Sequence, residues 1–301
     1  MPKNTLNDIL TKEKVVVKGV SYFMKILITG ANGMLAKAVE NEFKEDEQIL
    51  TDVAELDITD LEVVKKYVAD IKPDLIINCA AYTAVDKAEE QKDLAYKINA
   101  IGPKNLAIAS KENNSTLVHI STDYVFGGAK PAFEDYKEDD EKNPQAVYGT
   151  TKLAGEEFIE KETDKYYIFR TAWLYGDGKN FVRTMLDLSK THEEVRVVND
   201  QHGSPTYAVD LASIIHQAVK KKIPYGVYNS TNIGYTTWYD FTKKIFEIKN
   251  IDCKVTPVTS EEFASAAKRP KNSQMSKEKL LNNGIRIPNY EDALRRYLGS
   301  F

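Results

Sequence analysis

The stretch 25-KILITGANGMLAKAVENEF-43 decides the fold. Its first residues form a short apolar run of strand length. The last ten, from Met34, carry apolar residues at helical spacing. Between them lies Gly30-Ala31-Asn32-Gly33, a glycine-rich turn from strand to helix. In an open α/β sheet such a turn meets a pyrophosphate through bare backbone and a helix N-terminus. Gly30 permits the tight turn, and Gly33 lets the backbone approach the phosphate. Ala36 holds the third glycine position and still allows close packing of helix on strand. A glycine pattern alone is weak evidence and fits a purely structural turn. Flanked by a strand and a helix, it points to a bound dinucleotide.

Outward from this unit the strand–helix rhythm continues. EQILTD (47–52) reads as a strand and DLEVVKKYVADIK (60–72) as a helix with Asp60 as N-cap. PDLIINCAA (73–81) reads as a strand buried on both faces. KDLAYKINAIGPKNLAIASKEN (92–113) reads as one long helix. TLVHISTDYVF (116–126) is a strand running into a loop, NPQAVYGTTKLAGEEF (143–158) opens another helix, and KYYIFRTAWLYG (165–176) is a further strand. This order predicts an α/β fold: a doubly wound parallel sheet of Rossmann type. Beyond Gly176 the rhythm weakens, with Pro and Gly breaks in the tail. The expected organisation is a leader or N-terminal extension at 1–23 and a dinucleotide-binding domain at 24–175. Residues 176–301 form a smaller, interwoven substrate-binding lobe, some segments of which return to the first domain.

Composition excludes several classes. The 301 residues are 42% hydrophobic and 29% charged, with a net charge of −4. That balance is ordinary for a globular protein and calls for neither nucleic acid nor an anionic membrane surface. No apolar run reaches spanning length, and residues 1–23 lack the pattern of a signal peptide. Cys79 and Cys253 are far apart, so neither a disulfide framework nor a zinc site is expected, and a cytoplasmic setting fits. His119, His192, His202 and His216 show no ligand spacing, and no metal is expected.

The candidate chemistry sits after the fourth strand. Ser121, Thr122 and Asp123 end it, and Tyr148 and Lys152 follow, four positions apart on one helix face. A free tyrosine has a pKa of about 10 and is a poor acid–base catalyst at neutral pH. A nearby ammonium lowers it by stabilising phenolate. A hydroxyl such as Thr122 holds a carbonyl oxygen beside the phenol. Hydroxyl, tyrosine and lysine beside a nicotinamide are what carbonyl reduction needs. The same tyrosine and lysine alone would read as a solvated helix face; the dinucleotide turn gives the pair its meaning. Asp52, 22 positions after Gly30, either hydrogen-bonds a ribose 2′-hydroxyl or caps a turn. With Val53 beside it and no adjacent cation, it favours NAD (as NADH), with NADP the alternative.

Several motifs in order carry a family resemblance: TGANGMLA, NCAAYTAVDKAE, STDYVFGG, VYGTTKLAGE, FRTAWLYG, NDQHGSPT and RPKNSQMS. With them the chain, from Met24 onward, resembles the extended short-chain dehydrogenases/reductases, and within them the dTDP-4-dehydrorhamnose reductases. Ala36 departs mildly from the family's third glycine, and the loop GGAKPAFEDYKEDDEKNP (127–144) is unusually long and acidic. The resemblance implies reduction of the C4 ketone of a nucleotide sugar, with Tyr148 as proton donor, Lys152 holding the nicotinamide ribose and Thr122 on the keto oxygen. It places Gly30, Asn32, Gly33, Met34, Leu35, Asp52, Asp57, Ile58, Cys79, Ala80, Ala81, Tyr82 and Asn99 at the cofactor. It places Thr83, Val85, Asp123, Tyr124 and Trp173 at the sugar, with Asn180, Arg183, Gln201 and Arg269 toward the nucleotide. Trp173 either stacks on the sugar or fills the space between lobes. The implied partner is a small-molecule nucleotide sugar, and a homodimer is compatible with the family. Two other readings stay open: a nucleotide-sugar epimerase or epimerase/reductase, and a non-catalytic dinucleotide-binding regulatory subunit.

Overall fold

The computed structural model describes residues 23–263 and 265–301. The expected leader lies, except for Phe23, outside the described residues. Five strands and six helices make up the first half: β1 (Lys25–Thr29), α1 (Met34–Glu42), β2 (Glu47–Thr51), α2 (Leu61–Ile71), β3 (Leu75–Asn78), α3 (Val85–Ala88), α4 (Lys92–Tyr96), α5 (Gly102–Glu112), β4 (Thr116–Thr122), α6 (Val147–Glu162) and β5 (Tyr166–Thr171). These strands and Gly226–Asn229 form a six-stranded, all-parallel sheet. From one edge the order is Gly226–Asn229, β5, β4, β3, β1, β2. The chain reverses direction across the sheet between β1 and β3, and a crevice opens there at the strands' carboxyl ends.

Period-two alternation sorts the strand residues onto two faces. Ile26, Ile28, Leu75, Ile77 and Val118 pack with Leu35 and Val39 of α1 and with Leu211 and Ile215 of the helix Ala208–Lys221. Leu27, Ile76, Leu117 and Ile168 pack the other way, with Val64 and Val68 of α2, Leu106 of α5 and Ile159 of α6. Each such fully buried side chain contributes roughly 1.5–3 kcal/mol. A third core, with Tyr175, Val182, Phe241, Ile245, Leu294 and Tyr297, holds the second lobe. Helix Ala208–Lys221 and strand Gly226–Asn229 belong to the first core although they follow the first turns of the second lobe.

Local chemistry explains several boundaries. Asp60 caps α2, accepting from the backbone N–H of Glu62 and Val63. The N-terminus of α6 has no side-chain cap of its own; Glu89, from a distant loop, accepts from Val147 N–H at 2.9 Å. The long helix expected over 92–113 is α4 and α5 joined by a π-helical turn, Lys97–Ile101. Pro103 has no N–H to give to the carbonyl of Asn99, which releases that turn from α-helical bonding.

Candidate active site

The glycine turn is built as its sequence demands. Gly30 has φ +67°, and a Cβ there would meet the backbone of Ala80 at 2.7 Å. The turn is latched from β2: Asp52 accepts the N–H of Asn32 at 3.1 Å and that of Val53 at 2.8 Å. Asp52 therefore caps the turn, and it does so at the end of β2 where a ribose would lie.

Beyond it a cleft of ≈ 640 Å³ opens between the lobes. Gly33, Met34, Leu35, Cys79 and Ala81 line one wall. Thr83, Val85, Thr122, Asp123, Tyr124, Tyr148, Lys152, Trp173 and Arg269 line the rest. The bare turn, the small residues after β3 and the volume of the cleft fit a dinucleotide. Ile120, Thr171, Lys179 and Phe181 also face it; they are ordinary residue types in no recognisable pattern, and their position depends on the folded chain.

Other expected residues lie behind this first wall. Asn99 is fully buried in the π turn. Its amide accepts from Tyr82 N–H at 2.8 Å and donates to Tyr82 O and to Thr151 Oγ1, both at 3.1 Å. It clamps the loop after β3 onto α6. Ala80 donates its N–H to Asn78, and Tyr82 donates its hydroxyl to Gln91. Asp57 caps its own turn through Thr59, and Ile58 is buried against Gly102.

The arrangement of Tyr148 and Lys152 departs from the expectation that the ammonium lowers the phenol's pKa. Burial pushes the Tyr148 phenol well above its ordinary value, the carboxylate of Asp123 adds to this, and a hydrogen bond with Thr122 opposes it. Lys152 is turned to the sheet: Nζ donates to the carbonyl of Ile120 at 2.6 Å and lies 3.2 Å from His119 Nε2. Burial holds its pKa down to about 8. Tyr148 is thus held as a neutral phenol. Asp123 is also buried, its pKa raised to about 6 despite hydrogen bonds from Ser273 at 2.5 Å and Thr122 at 2.9 Å. Ser121 does not present its hydroxyl to the cleft; it donates to Glu156, whose carboxylate is paired with buried Arg170 at 2.7 Å.

The second lobe closes the cleft unevenly. Trp173, at φ +50°, stacks on Trp238 with centroids 3.7 Å apart, so one face of its ring is taken by the second lobe. Arg269 donates to Tyr124 Oη at 3.1 Å and to Asp86 at 2.9 Å. Asp86 was not anticipated; its partner is 183 residues away. Arg269 also lines a neighbouring cleft of ≈ 690 Å³ with Gln201, Asn143, Gln145, Lys268 and Lys271. Asn180 and Arg183 are not brought to either cleft. Asn180 caps the helix Phe181–Ser189 and donates to Gly176 O at 2.6 Å and Tyr297 Oη at 2.9 Å. Arg183 donates to Tyr297 Oη at 3.0 Å and faces a separate groove with Lys37 and Phe301. Among the described residues no group of three His, Cys, Asp or Glu is placed to hold a metal, and no helix is long and apolar enough to cross a membrane.

A family model described as the RmlD substrate binding domain matches residues 24–301. The spore coat polysaccharide biosynthesis protein SpsK of Bacillus subtilis is 39% identical over 277 residues, 91% of this chain and 96% of that protein. A solved dTDP-4-dehydrorhamnose reductase from Clostridium acetobutylicum superposes with a TM-score of 0.90 at 51% identity, covering 92% of this chain and 99% of that one. Another, from Bacillus anthracis in complex with NADP, gives a TM-score of 0.89 at 44% identity, covering 93% and 100%.

Proposed function

The chain belongs to the RmlD substrate binding domain family, and from that premise we propose that it reduces the C4 ketone of dTDP-4-dehydro-L-rhamnose to give dTDP-L-rhamnose, using a nicotinamide cofactor. The observation that carries this reading is the joining of the Gly30–Gly33 turn, Thr122, Tyr148 and Lys152 around one cleft, in a chain 51% identical to a solved reductase of that name.

The residues divide the work. The glycine turn and the N-terminus of α1 take the cofactor's diphosphate. When bound, the nicotinamide supplies a hydride to the C4 carbon. Thr122, whose hydroxyl donates to Asp123 in the free protein, turns that hydroxyl to the ketone oxygen when substrate binds. Tyr148, kept protonated by burial, gives its proton to that oxygen as negative charge develops there. Lys152, as a cation, holds the nicotinamide ribose and supports the phenol when it has lost its proton. Thr83, Val85, Tyr124 and Trp173 border the sugar. Arg269, at the junction of the two clefts, reaches the substrate's diphosphate with Lys268 or Lys271, and the cleft beside Gln201 takes the nucleoside. For the cofactor, the carboxylate of Asp52 repels a 2′-phosphate and favours NADH, although the Bacillus anthracis relative was solved with NADP. The free thiols of Cys79 and Cys253 suit a reducing, cytoplasmic setting.

The test is stoichiometry. With dTDP-4-dehydro-L-rhamnose generated in situ, the reductase consumes one NADH per sugar reduced. A bound cofactor that is recycled without net consumption would mark an epimerase instead. A protein that binds NADH yet turns over no keto-sugar nucleotide, alone or with a co-purifying enzyme subunit, would mark a regulatory module.

A further inference from the structure

Behind the cleft, a chain of buried polar side chains runs across the sheet from Lys152. Lys152 Nζ lies 3.2 Å from His119 Nε2, and His119 Nδ1 lies 3.0 Å from Asn78 Nδ2. Asn78 Oδ1 accepts the Ala80 N–H at 3.1 Å and the Thr29 hydroxyl at 2.7 Å. Lys152, His119 and Asn78 are each at most 1% exposed.

This geometry fixes the protons. A backbone N–H can only donate, so the Ala80 contact requires the oxygen of the Asn78 amide on that side. The NH2 of Asn78 then faces His119, and Nδ1 must accept from it. A neutral imidazole with an accepting Nδ1 carries its proton on Nε2. That N–H points at the lysine nitrogen. An ammonium has only donors, so an Nε2–H set against it is two donors facing each other. A neutral amine accepts the N–H and still donates to Ile120 O. A doubly protonated imidazolium is excluded by the Asn78 NH2 on its other nitrogen, and burial together with Lys152 holds His119 neutral.

We propose that His119 is a positioning residue for Lys152: its tautomer dictated by Asn78, it presents Nε2–H to the lysine nitrogen, which favours the amine over the ammonium and makes Lys152 give up its proton more readily than a free lysine. The proposal rests on the role given above to Lys152. The other groups facing Lys152 are few. Glu156, one turn along α6, favours the ammonium but is already paired with Arg170. Cys79, at the end of β3, also favours it as thiolate, yet its own pKa is raised to about 12 by burial, so it stays a neutral thiol. The lysine pKa held to about 8 by burial is consistent with this arrangement.

Nitrogen NMR of the histidine-labelled wild-type protein reads the tautomer without any turnover, so its outcome is independent of whether the substrate assignment is right. The expected result is Nε2 protonated and Nδ1 bare from about pH 6 to about pH 9, with the Lys152 side chain titrating near 8. A proton on Nδ1, or a Lys152 titrating in the usual lysine range, overturns the proposal. Asn78→Asp supplies the functional readout. A carboxylate there accepts from Nδ1–H, moves the proton across the ring and turns a lone pair toward Lys152. The midpoint of Lys152, and with it the alkaline limb of kcat/KM, should then move up by about one pH unit, a tenfold gain in proton affinity. A merely structural Asn78 would lower activity at every pH with that limb unmoved, which also contradicts the proposal. If the variant fails to fold, the wild-type spectrum still decides.

Discussion

Lys152 sets stability against function. Its folded-state pKa, about 8, lies below the ordinary lysine value of 10.5 because the ammonium is buried. Between those values the unfolded chain binds the proton more tightly, so stability falls as pH drops from 10.5, and the full cost is present below 8. That cost is about 3 kcal/mol. Lys152→Met should therefore unfold at higher denaturant concentration than wild type at neutral pH, with the gain closing as pH approaches 10.5, while most turnover is lost. Unfolding curves across that range check it; a variant less stable at every pH would mean that the Ile120 and His119 contacts outweigh the buried charge. Asp52 gives a second prediction. Removing its carboxylate in Asp52→Ala costs one charge-assisted hydrogen bond to the ribose and lifts the repulsion of a 2′-phosphate. The ratio of kcat/KM for NADH over NADPH should fall about tenfold or more. An unchanged ratio would leave Asp52 as a cap for the Asn32 turn and nothing else.

The elements that the sequence made legible are those specified locally. The β1–turn–α1 unit, the Asp60 cap of α2 and the strand–helix alternation each depend on residues within about one turn of one another. Asp60→Ala should cost about 1 kcal/mol without altering NADH affinity, since α2 lies away from the cleft; a fluorescence titration beside an unfolding curve separates the two effects. Elements shaped by distant partners were not legible. The π turn at Lys97–Ile101 follows from Pro103, but its use, aiming Asn99 at Tyr82 and Thr151, depends on a loop 17 residues back and a helix 52 residues on. The turn of Lys152 toward His119 crosses 33 residues. Asn180 and Arg183 were expected near the nucleotide from their motif alone. They are held instead by Tyr297, from the last helix, 117 and 114 positions along the chain. Glycine patterns and spacings state what one element can do; they do not state which side chain a second lobe will claim.

On the scale of the whole molecule, the two lobes meet over two neighbouring clefts, one lined by Gly33 and Tyr148 and one by Gln201, with Arg269 in both. Arg269 stands where they adjoin, tied to Asp86 and Tyr124 of the first domain. Arg269→Ala should raise KM for the nucleotide sugar about tenfold or more through loss of a charged contact, and leave the Kd of NADH within error. A change confined to NADH binding would misplace the substrate. In the proposed reaction Tyr148 passes its proton to the C4 oxygen during hydride transfer. The direct measurement is a single turnover of NADH-loaded Tyr148→Phe and wild-type protein with dTDP-4-dehydro-L-rhamnose, following nicotinamide oxidation. In the variant, NADH affinity should stay close to wild type and hydride transfer should slow on the order of a hundredfold or more. Transfer at the wild-type rate would contradict it and move the proton to another donor.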